Sequence, residues 1–456
     1  MKNLATYEFR GKLSHRDSKK HLLHSFKVPR GANTLKIALR YEQHIVGTSR
    51  NLITLCVFDP EIYRGAGHRQ GPALDISISL YSATPGFLSG PIPHGSWKVE
   101  LDTHWINPDA PCLFQLEVEV SQVDLFNPKL SDNSSYKRPS PPSRAGWYWG
   151  DLHTHSVHSD GVYDVSTLLQ SAREKGLDFI ALTDHNTVSG LEEVRKFAEK
   201  QPLCIEGMEF TTFWGHALGL GIHQWVDWRT GLSDRSMSQV LDEVTASSGL
   251  FVIAHPVAAH DSECTGCSWR YNDIMPGAAH AVEIWNEKWD NNNDRSLHLW
   301  YQWLNLGYRI SATAGSDQHD AKYRRDNLPG IGFNVVNVPF LTERQVIEAI
   351  RQGQIYLSSY PQLTISGRCK ELDFVPMGGQ LLGENKIIEI SWHQCPNGAS
   401  FRIILDGEIA DLWPATTWGR RTWTIPDSKF KWCLVELRDA SGIMVAITNP
   451  IYLNIQ

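Results

Sequence analysis

The chain has 456 residues, 41% hydrophobic and 20% charged, enough for about three ordinary globular domains. Its 43 basic and 50 acidic side chains sum to −7, which argues against the broad basic surface of a protein that coats nucleic acid. No apolar run reaches about 18 residues, and MKNLATYEFRGKLSHRDSKK has no apolar signal core. With eight scattered cysteines, the expectation is a cytoplasmic chain with reduced thiols and no membrane partner.

Residues 1–125 carry short alternating runs (LKIALRYEQ, LITLCVF, ALDISISLYS, SWKVELDTH, LFQLEVEVSQV) separated by turn residues, which predict a β-sandwich. Residues 126–146 are polar and rich in Pro and Ser, and read as a linker. From 147 to 359, strand runs alternate with helical patterns such as DVSTLLQSAREKG, SMSQVLDEVTASSG and TERQVIEAIRQG. That alternation predicts an α/β barrel. Residues 360–456 return to strand runs (KIIEISWHQ, SFRIILDG, WCLVELRD) and predict a second, smaller β-sandwich.

Histidine is the unusual component. Eleven of the 19 fall between His153 and His319. The middle strand runs end in Asp151-Leu-His153-Thr-His155, Thr183-Asp184-His185, Glu209, His255-Pro256 and Asp317-Gln318-His319. Ser159-Asp160-Gly161 follows the first cluster, and His216 opens the next run after Glu209. In a parallel barrel the C-terminal strand ends converge on one face. That would gather His153, His155, His185, His216, His255 and His319 with Asp160, Asp184, Glu209 and Asp317. So many nitrogen and oxygen donors exceed the needs of one divalent ion, and two or three fit better. In extended chain His-x-His puts both imidazoles on one side, and Asp317-x-His319 does the same. A carboxylate such as Glu209 can bridge two ions, and paired metals can share a hydroxide nucleophile.

These motifs, in order, resemble the PHP (polymerase and histidinol phosphatase) family of metal-dependent hydrolases. The resemblance covers roughly 147–358: HTH with SDG, TDH, EGMEF, GHALGL, AHP and GSDQH. WYWGDLHTHSVHSDG, MEFTTFWGHALGLG and HAVEIWNEKWD look most like the CehA/McbA subgroup, phosphoesterases with some carbamate hydrolases among them. The resemblance implies a distorted (β/α)7 barrel, here flanked by N-terminal and C-terminal β-sandwiches. It implies one ion on His153, His155, Glu209 and Asp317, a second on Glu209, His216 and His255, and a third on Asp160, His185 and His319. Some family members carry histidine where this chain has Asp160. The aspartate resembles the tryptophan-operon-linked type that acts on small phosphorylated nucleosides, and it favours Mn or Fe over Zn.

The implied activity is hydrolysis of a phosphoester of a small phosphorylated metabolite by a metal-bridging hydroxide. Glu209 would bridge, Asp317 would transfer protons and Asp184 would orient the site. The alternative is a carbamate or carboxylic ester attacked in the same way. A non-catalytic PHP module would have lost ligands, and this chain keeps them. Lys322, Arg324 and Arg325 follow GSDQH and, with Arg270, are candidate phosphate contacts. Trp214, Trp285, Asn286 and Trp289 are candidates for a substrate wall. His158 reads as an exposed loop residue, and Cys264-x-x-Cys267 as two free thiols.

Overall fold

The structure is a computed structural model. It describes residues 3–43, 45–46, 49–68, 71–122, 144–197, 202–231, 235–258, 266–320, 331–370, 374–426 and 429–453. The N-terminal part forms β1 (Asn3–Leu13), β2 (Lys20–Val28), β3 (Thr34–Tyr41), β4 (Leu52–Phe58), β5 (Tyr63–Gly67), β6 (Ala73–Ser79), β7 (Gly95–Trp105) and β8 (Cys112–Ser121). They pair antiparallel as two sheets, β1-β8-β3-β6 and β2-β7-β4-β5. Alternation explains the packing: β3 buries Leu35, Ile37, Leu39 and Tyr41 and turns Lys36 and Arg40 outward. β7 is different, because both of its faces are covered. Val99 and Leu101 enter the sandwich core, while Glu100, Asp102 and His104 on the other face are fully buried too.

The middle part forms β9 (Gly146–Asp151), α1 (Val165–Lys175), β10 (Phe179–Leu182), α2 (Leu191–Lys196), β11 (Leu203–Thr211), β12 (His216–Leu220), α3 (Met237–Ala246), β13 (Leu250–Ala254), β14 (Ala281–Asn286), α4 (Asn291–Asn305), β15 (Ser311–Gly315), β16 (Phe333–Val338), α5 (Glu343–Arg351) and β17 (Ile355–Ser358). Local sequence starts and stops the helices. The Asp164 side chain accepts from Thr167 N at α1, and Gly176 at φ 84° ends it. Ser236, Asp290 and Thr342 cap α3, α4 and α5.

Strand order runs β15-β14-β13-β12-β11-β10-β9-β16-β17. The sheet curls, because the chain beyond β9 meets the chain beyond β15: His155 N donates to Gln318 O at 2.9 Å, and Ser316 N donates to Asp151 Oδ1 at 3.0 Å. The distorted (β/α)7 barrel expected from sequence gives way to a more strand-rich arrangement. β12 lies antiparallel to both β11 and β13. The reason is length. Thr212–Gly215 supplies four residues between β11 and β12, too few for a crossover and enough for a hairpin.

The C-terminal part forms β18 (Gln362–Arg368), β19 (Ile387–His393), β20 (Ser400–Leu405), β21 (Glu408–Pro414), β22 (Trp418–Thr424), β23 (Trp432–Arg438) and β24 (Met444–Thr448). β18, β19 and β22 make one sheet. The other, β24-β23-β20-β21, is joined edge to edge to β17 and so continues the middle sheet.

The expected linker at 126–146 lies mostly outside the described residues, and Gly146 already belongs to β9. Among the described residues no helix is long and apolar enough to cross a membrane. Cys267 is disulfide-bonded, which corrects the reading of it as a free thiol; Cys264 lies outside the described residues. Cys56, Cys112, Cys204, Cys369, Cys395 and Cys433 are free.

Candidate metal centre

All six motif histidines meet at one end of the curled sheet, with Asp160, Glu209 and Asp317 among them. Two of these residues sit on unusual backbone. His255 has φ 27° and Asp317 has φ 49°, left-handed values that bend the chain as it leaves β13 and β15. Non-glycine residues adopt such values where the surrounding structure over-determines them, and functional sites are where they cluster.

Glu209 is the centre of the cluster. It is fully buried, and five imidazoles surround its carboxylate. Oε2 lies 2.7 Å from His185 Nδ1, 3.4 Å from His153 Nε2 and 3.5 Å from His155 Nε2; Oε1 lies 3.0 Å from His216 Nδ1 and 3.4 Å from His255 Nε2. Yet neither oxygen makes a well-directed hydrogen bond among the described residues. A buried carboxylate without directed hydrogen bonds, faced by nitrogen donors, fits cations better than it fits the protein alone. Asp160 Oδ1 similarly stands 3.2 Å from both His185 Nε2 and His319 Nε2, and those two nitrogens are 3.4 Å apart. Asp317 Oδ1 is 3.0 Å from His155 Nε2 and 3.3 Å from His153 Nε2.

Several imidazoles are oriented from behind. His153 Nδ1 faces Glu283 Oε1 at 3.1 Å, His255 Nδ1 faces Cys267 O at 3.3 Å, and His319 Nδ1 faces Asp317 O at 2.7 Å. Each contact occupies Nδ1 and leaves Nε2 turned into the cluster, the usual outer-shell arrangement of a metal histidine. Burial opposes ionisation of Glu209, but the charges of His185, His153 and His216 overcome it and hold the carboxyl well below its ordinary range. Burial opposes ionisation of Asp317 as well, and His153 and the hydrogen bond from His155 reverse it.

Other predicted residues fall in mixed places. The Asp184 carboxylate accepts from Ser156 N at 2.8 Å, Ser156 Oγ at 2.7 Å and Ser159 Oγ at 2.7 Å. It braces the 153–160 segment rather than standing among the imidazoles. Asn286 reaches the cluster, with Nδ2 3.2 Å from Glu283 Oε2 and 3.4 Å from Asp317 Oδ2. Lys322, Arg324 and Arg325 lie outside the described residues. Arg270 is exposed, and its backbone N donates to Trp214 O. Trp285 and Trp289 are buried in the core, edge to face at 5.0 Å, which removes them from a substrate wall. His158 is buried, not exposed: Nδ1 bonds Ser189 Oγ at 2.7 Å and accepts from Gly86 N at 3.3 Å.

Sequence reading missed Glu283, His68 and His104. Glu283 sits inside the apolar run AVEIWN, fully enclosed, and also accepts from His255 N at 3.1 Å. A lone acid in such a run was the available signal. It needs close approach, which Gly315 permits, since a Cβ there would collide with Glu283 and His153. His68 and His104 come from the N-terminal sandwich. Burial holds both imidazoles below their ordinary range, His104 down to about 3. No strand-end pattern could have announced them.

Residues 151–241 match the PHP domain. This PHP match holds six of the motif positions, His153, His155, Asp160, His185, Glu209 and His216, and it stops before His255, Asp317 and His319. Over 74 residues the chain is 39% identical to a 5'-3' exoribonuclease of Haemophilus influenzae, which takes in 16% of this chain and 26% of that protein. Over 77 residues it is 35% identical to a 3',5'-nucleoside bisphosphate phosphatase of Chromobacterium violaceum, 16% of this chain and 27% of that one. The chain thus spans about a quarter of the length of these relatives. A two-domain protein of Bacteroides vulgatus containing a predicted PHP-like metal-dependent phosphoesterase superposes with a TM-score of 0.42 at 15% identity, over 70% of this chain and 99% of that chain.

Proposed function

We propose that this chain is a metal-dependent phosphoesterase of the CehA/McbA type, acting on a small phosphorylated metabolite. The observation that carries the reading is the buried Glu209 carboxylate inside five imidazoles, with no directed hydrogen bond of its own. His153, His155, Glu209 and Asp317 would hold one ion, Glu209, His216 and His255 a second, and Asp160, His185 and His319 a third. Asp160 in the third set favours Mn or Fe over Zn there. Bound divalent ions supply Lewis acidity and make water a nucleophile at neutral pH.

The chain's own residues do the rest. Asp317 and His319 are the open members of the set, with side chains 18% and 33% exposed, so substrate reaches the centre from their side. Asp317 Oδ2 faces Asn286 at 3.4 Å, which aims a partly open carboxylate to take a proton from water and return it to the leaving oxygen. Glu283 keeps His153 turned inward, and Asp184 keeps the 153–160 segment closed around it.

The named activities of the two sequence relatives, an exoribonuclease and a nucleoside bisphosphate phosphatase, both break phosphoesters, and they support phosphorus over carbon as the electrophile. The test is direct. Protein loaded with Mn or Fe is assayed in parallel on p-nitrophenyl phosphate, bis-p-nitrophenyl phosphate and a naphthyl carbamate. Turnover of a phosphate ester is expected; turnover of the carbamate alone overturns the reading.

A further inference from the structure

His185 is held between two other imidazoles. His155 stacks on one face, with ring centres 4.2 Å apart and planes at 18°. His68 covers it from elsewhere, with centres 4.4 Å apart and planes at 35°. His155 belongs to the same domain as His185, but His68 directly follows β5 of the N-terminal sandwich. Behind His68 stands His104 of β7, edge-on at 5.5 Å. The His104 ring is fixed in turn: Nε2 lies 3.0 Å from Thr54 Oγ1, and Phe213 packs on it at 5.1 Å. A file of four imidazoles therefore runs from the metal centre into the other domain.

The backbone carrying His68 is clamped to the segment that follows His185. Tyr63 OH donates to Asn186 O at 2.7 Å, and the Tyr63 ring stacks on Trp225 at 4.0 Å. Gly86, paired beside β5, donates its N–H to Ser189 Oγ at 3.1 Å and accepts from Thr187 Oγ1 at 2.7 Å. A Cβ on Gly86 would collide with Ala66 O, and its φ of 98° is one that glycine tolerates. The close seating is thus written into the sequence. On His185 itself, Nδ1 meets Thr211 Oγ1 at 2.5 Å. With Glu209 Oε2 2.7 Å from the same Nδ1 and Asp160 Oδ1 3.2 Å from Nε2, both ring nitrogens are held, and the tilt about the line joining them is left to whatever packs on the ring. Neighbours stacked against the ring fix its plane.

We propose that the N-terminal sandwich completes the metal centre, with His68 as a positioning residue that sets the plane of His185 for the cation shared with His155, Asp160 and His319. The proposal rests on the ligand set given above, and not on which ester is cleaved. Outer-shell partners of this kind change metal affinity by about 10–100-fold.

The test counts ions. Full-length wild type, H68A, H68Q, H68F and W225A are stripped, reloaded at limiting Mn2+ and dialysed, and bound Mn per chain is measured by mass spectrometry alongside kcat and KM for p-nitrophenyl phosphate. H68A and H68Q, without a ring, are expected to lose about one ion per chain and to lower kcat at least tenfold. H68F, which keeps a ring to stack, is expected to retain the ion. W225A loosens the docking away from the imidazole file, and is expected to lower Tm while keeping the ion count. H68A or H68Q with a wild-type ion count overturns the proposal, and so does H68F losing as much as H68A. Loss of the same ion by W225A also overturns it, because the effect would then be general loosening. If H68A does not fold, H68Q decides. If wild type cleaves only carbamate, the proposed substrate falls, while the ion counts still judge His68.

Discussion

The two β-sandwiches are attached to the middle part in opposite ways. The C-terminal one shares a hydrogen-bond ladder with it. Tyr356, Leu357 and Ser358 of β17 pair with Thr448, Ile447 and Ala446 of β24, and Trp432, Leu434, Met444 and Ile447 join the same core as the middle strands. The N-terminal one, among the described residues, keeps its strands in two sheets of its own and docks through side chains. Its docking face is mixed: Cys56, Tyr63 and Ala66 join the core of the middle strands, while Arg229 Nη1 meets Glu100 Oε2 at 3.1 Å, and His21 Nδ1 meets Asp102 Oδ1 at 2.6 Å with its ring packed on Phe213. Well-packed apolar side chains would often hold such an interface as firmly as buried charge does. The buried polar groups on that face include His104 and His68, the latter 4.4 Å from the His185 ring. One sandwich is wall, the other is part of the site.

The comparison breaks most visibly at its centre. Glu209→Gln should strip the cluster of bound metal and reduce hydrolysis by about 100-fold or more, read by metal analysis and initial rates. Retention of full metal and full rate would sink the site itself. Next in size is truncation. A chain begun at residue 144 should remain soluble and melt cooperatively by circular dichroism, because no ladder is cut. A chain ended at 359 should precipitate, because it leaves the edge of β17 unpaired and the shared core open. Equal solubility of the two would erase the distinction.

A smaller effect is expected within the C-terminal joint. Tyr301 OH donates to the buried Glu436 Oε1 at 2.7 Å. Tyr301→Phe should lower stability in urea by about 1–3 kcal/mol without changing kcat/KM. The smallest effect concerns the docking face. Burial opposes the charge of His21, but Asp102 and Glu100 raise it to about 9 from the ordinary 6.5. A raised folded value stabilises most below the unfolded value, and the benefit fades as pH rises through about 9. Melting temperatures taken from about pH 7 to pH 9 should therefore fall less steeply in His21→Phe than in wild type. Parallel profiles would remove His21 from the docking account.

The gathering of His153, His155, Asp317 and His319 was legible in the sequence because period-two spacing and strand ends turn distant residues toward one point. The order of strands and helices was legible for the same reason, since caps such as Asp164 and Ser236 mark their own helices. The direction of β12 was not read from the apolar run HALGLGI; the length of the preceding turn decides it. Glu283 was hidden because its role depends on what lies across the sheet, and His68 because its partner is 117 positions away in a different domain. The two buried tryptophans were misplaced because side-chain type alone does not say which face of a core it will meet.

The joint at β17 also governs motion. Sliding or hinging the C-terminal sandwich would mean breaking backbone hydrogen bonds in a continuous sheet, a step close to unfolding. The N-terminal sandwich can shift by exchanging a handful of side-chain contacts. Any parting of the N-terminal sandwich from the middle would lift His68 from His185, so on the proposal above ion exchange at that corner would keep time with the opening of the two domains.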